Sequence, residues 1–381
     1  MEYRELGRTG KKLSAVGLGC EFLDGAAYEQ VKTTIDAAID GGINIFDSFM
    51  PGTEIRENIA RALGSRRSQV MIQGHLGSTD VNKQYDISRD MPTVKRYFEE
   101  LLRIFGYIDF GMLFYIDSEQ DYKAIFETEY AGYLQKLKNR GDVLHIGFSS
   151  HNPEMAKKVI KTGIVEMMLF SINPAFDMVP HDEYVFDHYS DKGIGPREMF
   201  RGIDPKRAEL YKLCRQKQIG ITVMKAYGGG KLLSAEHTPY AKPLTEAQCI
   251  HYALTRPAVA SVLVGAKNVT QMRKALDYFK ASEKEKDYTE ILNSVQNDFK
   301  GHCVYCNHCQ PCPVEIDISA VTKYLDIALL DKENIPPSIR SHYDSLAQKG
   351  CACAACGQCE RKCPFGVPII ENMKRAAEVF G

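Results

Sequence analysis

The first 285 residues alternate eight times between a short apolar run and a longer helical stretch, and that alternation leaves few folds open. Runs rich in β-branched and aromatic residues predict strands over 13–20, 44–49, 70–75, 108–116, 143–149, 165–172, 220–225 and Val259–Gly265. Helices are predicted between them, over Tyr28–Asp40, 54–63, 93–105, 122–139, 152–161, 205–218, 245–255 and 269–281. In the first of these, Val31, Ile35, Ala38 and Ile39 fall on one helical face. Strict alternation implies a parallel sheet. Eight units in roughly 250 residues is the count of an α/β (β/α)8 TIM barrel. The competing arrangement is a doubly wound open sheet. No G-x-G-x-x-G follows the first strand, where GLGC lacks the third glycine.

In a barrel the functional side chains gather at the C-terminal ends of the strands. Those ends carry Cys20, Asp47, His75, Phe114, Tyr115, Ser149, Ser150, His151, Asn173, Lys225 and Gly265 to Lys267. Residues 178–203, with His181 and His188, form a long insertion after the sixth strand, as lids do. Lys and Arg number 48 against 49 Asp and Glu, so the net charge of −1 gives no case for a nucleic-acid or anionic membrane partner. No apolar run approaches the ~18 residues of a membrane helix. MEYRELGRTGKKL lacks the apolar core of a signal peptide, so a cytoplasmic location is expected.

Of 12 cysteines, Cys20, Cys214 and Cys249 are scattered, and the other nine lie between Cys303 and Cys363. Cytosolic chains do not normally use cysteines for disulfides, so this crowding points to metal. The first group is Cys303, Cys306, Cys309 and Cys312-Pro313; the second is Cys353, Cys356, Cys359 and Cys363-Pro364. Three thiolates at C-x2-C-x2-C can wrap one iron–sulfur cube, and the fourth iron needs a remote thiolate. In two-cluster ferredoxins that thiolate comes from the other group and precedes a proline. Cys303, Cys306 and Cys309 are therefore expected to share a [4Fe–4S] cluster with Cys363, and Cys353, Cys356 and Cys359 one with Cys312. Zinc is the alternative for paired C-x2-C hooks, but it needs only four ligands. Cys351 has no place in the four-plus-four count. Residues 283–300 read as a charged linking helix, and 318–330 as a helix within a spacer that resembles a helical ferredoxin module.

YRELGRTGKKLSAVGLG at the start resembles the aldo/keto reductase family. So do residues 44–47 followed by TEIRENIARAL, YIDFGMLFYID, IGFSSHNPE and VLVGAKNVTQMRKAL. The resemblance spans residues 1–285, and the cysteine groups extend it to the branch that carries a C-terminal 4Fe–4S dicluster domain. It implies a barrel over 1–285, a helical ferredoxin-like domain over 286–381, and carbonyl reduction with NADP(H) by an Asp, Tyr, Lys and His set. Asp47 matches the Asp. The loop SFMPGTE holds no tyrosine; His75 stands at the Lys position and Phe114 at the His position. His75 and Tyr115 are the candidates to move protons in their stead, and His151 begins the fifth helix, where it could cap it. Ser149 stands where the family holds the carboxamide. Gly265 and Lys267 stand where it holds a phosphate, Gln271 near the adenosine, and Lys225 could bind an anion.

The expected function is an iron–sulfur oxidoreductase. It would couple single-electron transfer through two clusters to redox chemistry of a small-molecule substrate at the barrel mouth, with a ferredoxin or flavodoxin as redox partner. The alternatives are a conventional NADPH-dependent carbonyl reductase and an inactive barrel that serves as electron carrier or binding partner.

Overall fold

Eight parallel strands close on themselves, and every other feature is arranged around that closure. The computed structural model describes residues 1–80, 86–178, 203–236, 238, 240–293, 301, 303, 305, 307, 309–363 and 365–381. The barrel strands are β1 (Val16–Gly19), β2 (Ile45–Ser48), β3 (Met71–Leu76), β4 (Ile108–Leu113), β5 (Val143–Ser150), β6 (Met167–Ser171), β7 (Gly220–Met224) and β8 (Val259–Gly265). Each pairs in parallel with the next. β8 returns to β1 through Val262–Val16, Leu263–Gly17, Val264–Leu18 and Gly265–Gly19, so no barrel edge remains. The fold is the (β/α)8 barrel, and the open sheet is excluded.

The surrounding helices are α1 (Tyr28–Asp40), α2 (Thr53–Leu63), α3 (Met91–Phe105), α4 (Glu119–Phe126), α5 (Tyr130–Arg140), α6 (Pro153–Lys161), α7 (Pro205–Lys217), α8 (Glu246–Leu254) and α9 (Val269–Leu276). The helix expected over 122–139 is two helices. Ser118 starts α4 with a capping box; Thr128 then donates to Ala124 O at 2.6 Å and accepts from the Tyr130 amide at 3.2 Å, closing one helix and opening the next. The strand expected over 13–20 also splits. Lys12–Ser14 pairs antiparallel with Tyr3–Glu5, and the Ser14 hydroxyl donates to Val16 O at 2.7 Å before β1 begins. The expected linking helix over 283–300 is instead two short helices, Glu283–Lys286 and Thr289–Asn293. Between them the Asp287 carboxylate accepts from the Thr289 amide at 2.8 Å, and 294–300 lie outside the described residues.

Leu6 and Leu13 of the N-terminal hairpin plug the barrel floor against Phe110, Met112, Met167 and Leu169. A separate core belongs to the C-terminal helices α10 (Ile318–Leu330), α11 (Pro337–Asp344) and α12 (Ile369–Phe380), built on Val321, Leu325, Ile339, Met373 and Phe380. Among the described residues, no helix is long and apolar enough to cross a membrane.

The floor plug makes a specific demand at β7. A Cβ on Gly220 would stand 2.8 Å from the backbone of both Leu6 and Gly7, whereas one on Gly132 of α5 would meet nothing. Gly220→Ala should therefore cost roughly 1–3 kcal/mol of stability, read as a lower urea midpoint, while Gly132→Ala leaves the midpoint unchanged or slightly higher.

Candidate functional site

β2 and β3 deliver Asp47 and His75 to the C-terminal mouth of the barrel. Both are buried, and His75 Nε2 lies 2.7 Å from Asp47 Oδ1. A carboxylate only accepts, so Nε2 carries the hydrogen, and in a neutral ring Nδ1 would bear the lone pair. That Nδ1 is shut off from solvent and finds no hydrogen-bond partner among the described residues. Gln73, two residues earlier on β3, donates to the same Asp47 oxygen at 3.1 Å and accepts from Thr222 of β7 at 2.8 Å. The carboxylate is thus braced from across the barrel. Phe49 and Phe114 stand edge-on to the His75 ring, with centroids 6.1 and 5.2 Å away, and form apolar walls. Cys20 is held beside Asp47, and burial, then the Asp47 charge, push its thiol well above its ordinary range. It stays protonated.

A second polar group sits where β4 and β5 end. Tyr115 takes the left-handed conformation, with φ 56°, and its amide donates to Ser149 Oγ at 2.8 Å. Burial and the carboxylates of Asp117, Asp121 and Asp317 push the Tyr115 phenol up. Asp117 accepts from His151 Nδ1 at 2.8 Å, from the His151 amide at 2.6 Å and from the Ser150 hydroxyl at 2.9 Å. Burial alone would raise the Asp117 carboxyl; His151 and Ser150 instead bring it down to about 2. His151 does not cap the helix that follows. Asn152 does, accepting from the Glu154 and Met155 amides at 2.9 and 3.2 Å.

Lys225 follows β7, also left-handed at φ 59°, and its carbonyl accepts from Asn173 Nδ2 at 2.8 Å. Burial, then Lys323, lower its ammonium to about 8. At the β8 end, Gln271 spends its side-chain oxygen on the Lys267 amide at 2.8 Å. Burial lowers the Lys267 ammonium, with Asp331 opposing. Gly265 is covered: a Cβ there would stand 2.7 Å from the Phe22 ring.

Helix α10 lies across this mouth. Its 13 residues reach about 20 Å at 1.5 Å each. Asp317 at its start faces Tyr115, and Lys323 at its middle pairs with Glu21 at 3.6 Å. Asp326 pairs with Lys231 of the β7 loop at 2.5 Å, and Leu330 covers Gly230. Lys231 also reaches the first cysteine group, donating to Cys303 O at 2.8 Å, while Tyr305 donates to Asp326 at 2.7 Å. Gly301 donates to Phe365 O at 2.6 Å, which sets the start of the first group beside Cys363. Lys362 donates to Gln310 O at 3.3 Å. Cys309 and Cys359 are buried in the C-terminal core; Cys303, Cys312, Cys353 and Cys363 pack against it; Cys351 and Cys356 are exposed. Cys306 and Pro364 lie outside the described residues, as do 179–202 with His181 and His188. Among the described residues, no three His, Cys, Asp or Glu side chains converge on one metal ion. The sequence reading passed over Asp117, Glu21, Lys231, Lys323 and His342. Asp117 had a local signal, lying just past a strand end; the others are near the mouth only because α10 and α11 fold back over it.

Residues 15–200 match the Aldo/keto reductase family. The chain is 24% identical to "Uncharacterized oxidoreductase YqkF" of Bacillus subtilis (strain 168), over 79% of this chain and 99% of that protein. Its fold matches the holo form of aldo-keto reductase AKR11C1 from Bacillus halodurans with a TM-score of 0.58 at 19% identity, covering 78% of this chain and 97% of that one. It also matches a putative aldo-keto reductase described as from Pseudomona aeruginosa, with a TM-score of 0.53 at 18% identity over 73% and 94% of the two chains. Over residues 15–200 this chain is thus similar to the aldo/keto reductase family, and its barrel has the fold of solved aldo-keto reductases.

The seam between barrel and α10 is sensitive to acid. His342 of α11 is 2% exposed and faces Glu21 and Lys323. Burial pushes its pKa down to about 4, with Glu21 opposing and Lys323 adding. Unfolded, the same imidazole titrates near its usual 6.5. Between those values the unfolded chain binds a proton that the folded chain does not, so stability falls on acidification from pH 6.5 towards 4, by a few kcal/mol. Replacing His342 with Gln should flatten that part of the profile, measured as urea midpoint against pH.

Proposed function

We propose that the chain is an iron–sulfur oxidoreductase. In this reading a small substrate reacts at the barrel mouth with electrons that arrive through the cysteine module. The observation that carries it is the seam: Lys231 of the β7 loop holds the Cys303 carbonyl and Asp326 of α10 together, directly above the strand ends. In this reading the eight cysteines of the two groups would hold two clusters. Six of the eight candidate ligand cysteines pack in or on one apolar core, a low-dielectric setting of the kind that tunes cluster potential. The Gly301–Phe365 hydrogen bond supports Cys363 as the fourth ligand beside Cys303, Cys306 and Cys309. Cys353, Cys356, Cys359 and Cys312 would hold the second cluster. When bound, the clusters supply single electrons, and a ferredoxin or flavodoxin suits the role of partner.

The barrel's own residues then handle protons and position. Asp47 fixes the tautomer of His75, whose Nδ1 can take or give a proton. Tyr115, kept protonated by burial, is a hydroxyl donor at the rim. Contacts at the candidate NADP(H) positions support a reading without it. Phe22 lies on Gly265, Leu330 on Gly230, and the Gln271 side chain is bonded to the Lys267 amide. Electrons in this reading come from the redox partner rather than from a bound nicotinamide.

Anaerobically prepared protein should contain about eight iron atoms and eight acid-labile sulfides and bleach with dithionite but not with NADPH. Cys306→Ser should lower iron content and turnover together. Asp47→Asn and His75→Phe should leave iron unchanged and lower turnover by roughly 10²-fold or more. Stoichiometric zinc without sulfide would refute the clusters, and NADPH-dependent aldehyde reduction at full rate in Cys306→Ser would establish a conventional carbonyl reductase.

A further inference from the structure

One ion pair at the seam between barrel and cysteine module takes its cation from the barrel and its anion from the module. Lys231, in the loop after β7, meets Asp326 of α10 at 2.5 Å, with side chains only 12% and 13% exposed. The Lys231 ammonium also donates to the Cys303 carbonyl at 2.8 Å and lies 4.5 Å from the centroid of the Tyr305 ring. Tyr305 ties both ends of this contact together. Its hydroxyl donates to Asp326 at 2.7 Å, and its amide donates to Cys303 Sγ at 3.4 Å. Gly228, Gly229 and Gly230 lead into Lys231 at φ 59°, 68° and 89°, a run that other residues would adopt only with strain. The pair therefore sits at the backbone of one candidate ligand and one hydrogen bond from its sulfur. The second group differs: Cys356 is exposed, and the cation at its carbonyl, at 3.4 Å, is Arg361 of the module itself.

We propose that Lys231 and Asp326 are positioning residues that set the reduction potential of the cluster held by Cys303. The inference rests on the iron–sulfur reading and adds to it that a barrel loop governs the driving force for electrons bound for the mouth. Reduction adds one electron to a cluster and makes or breaks no bond; the donor loses that electron. Lys231 favours the added negative charge, and Asp326 opposes it. The pair is largely withdrawn from water, so neither charge is screened as a surface charge would be. The Tyr305 amide acts in the same direction as Lys231, because a hydrogen bond to a ligand sulfur helps set the potential of a cluster. With both partners present the two charges offset each other. Without Lys231 the Asp326 charge acts alone and the potential falls. Without the Asp326 charge Lys231 acts alone and the potential rises. A purely structural role for the pair would behave differently: loss of either partner would loosen the same seam and move the potential the same way.

A redox titration of the anaerobically prepared full chain, followed by electron paramagnetic resonance, tests this. Dithionite supplies the electrons and soluble mediators carry them. Lys231→Met should lower one midpoint, cutting the reduced-to-oxidised ratio of that cluster by roughly threefold or more at a fixed potential. Asp326→Asn should raise the same midpoint by a comparable factor. Lys231→Arg should stay close to wild type, and the double variant Lys231→Met with Asp326→Asn should return towards it. The other cluster should shift less than half as far in every variant. Iron and sulfide should be unchanged throughout; if Lys231→Met loses iron, the isosteric Asp326→Asn decides by the sign of its shift. Shifts of the same sign in Lys231→Met and Asp326→Asn, unchanged midpoints in both, or equal shifts of both clusters would each overturn the proposal and leave the iron–sulfur reading standing. Absence of iron and sulfide from the wild-type chain would overturn that reading and the proposal with it.

Discussion

The pairing of β8 with β1 is the constraint on which the rest of this molecule depends. It closes the sheet, removes both edges and brings eight strand ends onto one face. Closure needs close approach inside the barrel: a Cβ on Gly17 would stand 2.5 Å from the Leu263 side chain and 2.7 Å from that of Ile45. Once the barrel is closed, the neighbouring strands β2 and β3 face β7 across its axis. The chain from Asp47 through Gln73 to Thr222 can then span it. The Asp47–His75 pair owes its fixed geometry to that brace, because both side chains sit on rigid strands rather than on loops.

The second organising contact is electrostatic. Helix α10 is apolar where it meets α11 and α12, and charged where it meets the barrel. Lys323 meets Glu21, Asp326 meets Lys231, and Asp331 faces Lys267. A salt bridge exposed to water contributes little. The two direct pairs here have side chains between 12% and 23% exposed, so each holds position more firmly than a surface pair would. Breaking one partner would leave the other charge partly buried and uncompensated. The same helix that lies over the mouth also contacts the first cysteine group, so one element serves both the barrel rim and the cysteine module.

Much of the mouth was legible in the chain. Asp47, His75, Tyr115 and Lys225 were placed by counting strand ends, and a side chain at a strand end has few directions in which to point. Their partners were harder to read. Ser149 meets the Tyr115 amide and Gln271 meets the Lys267 amide, and neither contact follows from a motif. The split of 122–139 into α4 and α5 depended on Thr128 bonding to both sides of itself, which periodicity does not register. His151 was read as a cap because it precedes a helix, but the cap is Asn152, and His151 is turned towards Asp117.

The sequence alone determined the alternation, the strand count and the cysteine spacing. These are local patterns, set by side-chain size, apolar period and chain reach. Tertiary structure decided which charges share the barrel mouth. Glu21, Asp117, His151, Lys225 and Lys323 come from segments up to 302 residues apart in the chain. Only barrel closure and the return of α10 over the mouth bring them within reach of one another. Charge interaction depends on distance through space and on the surrounding dielectric, and neither is written in residue order.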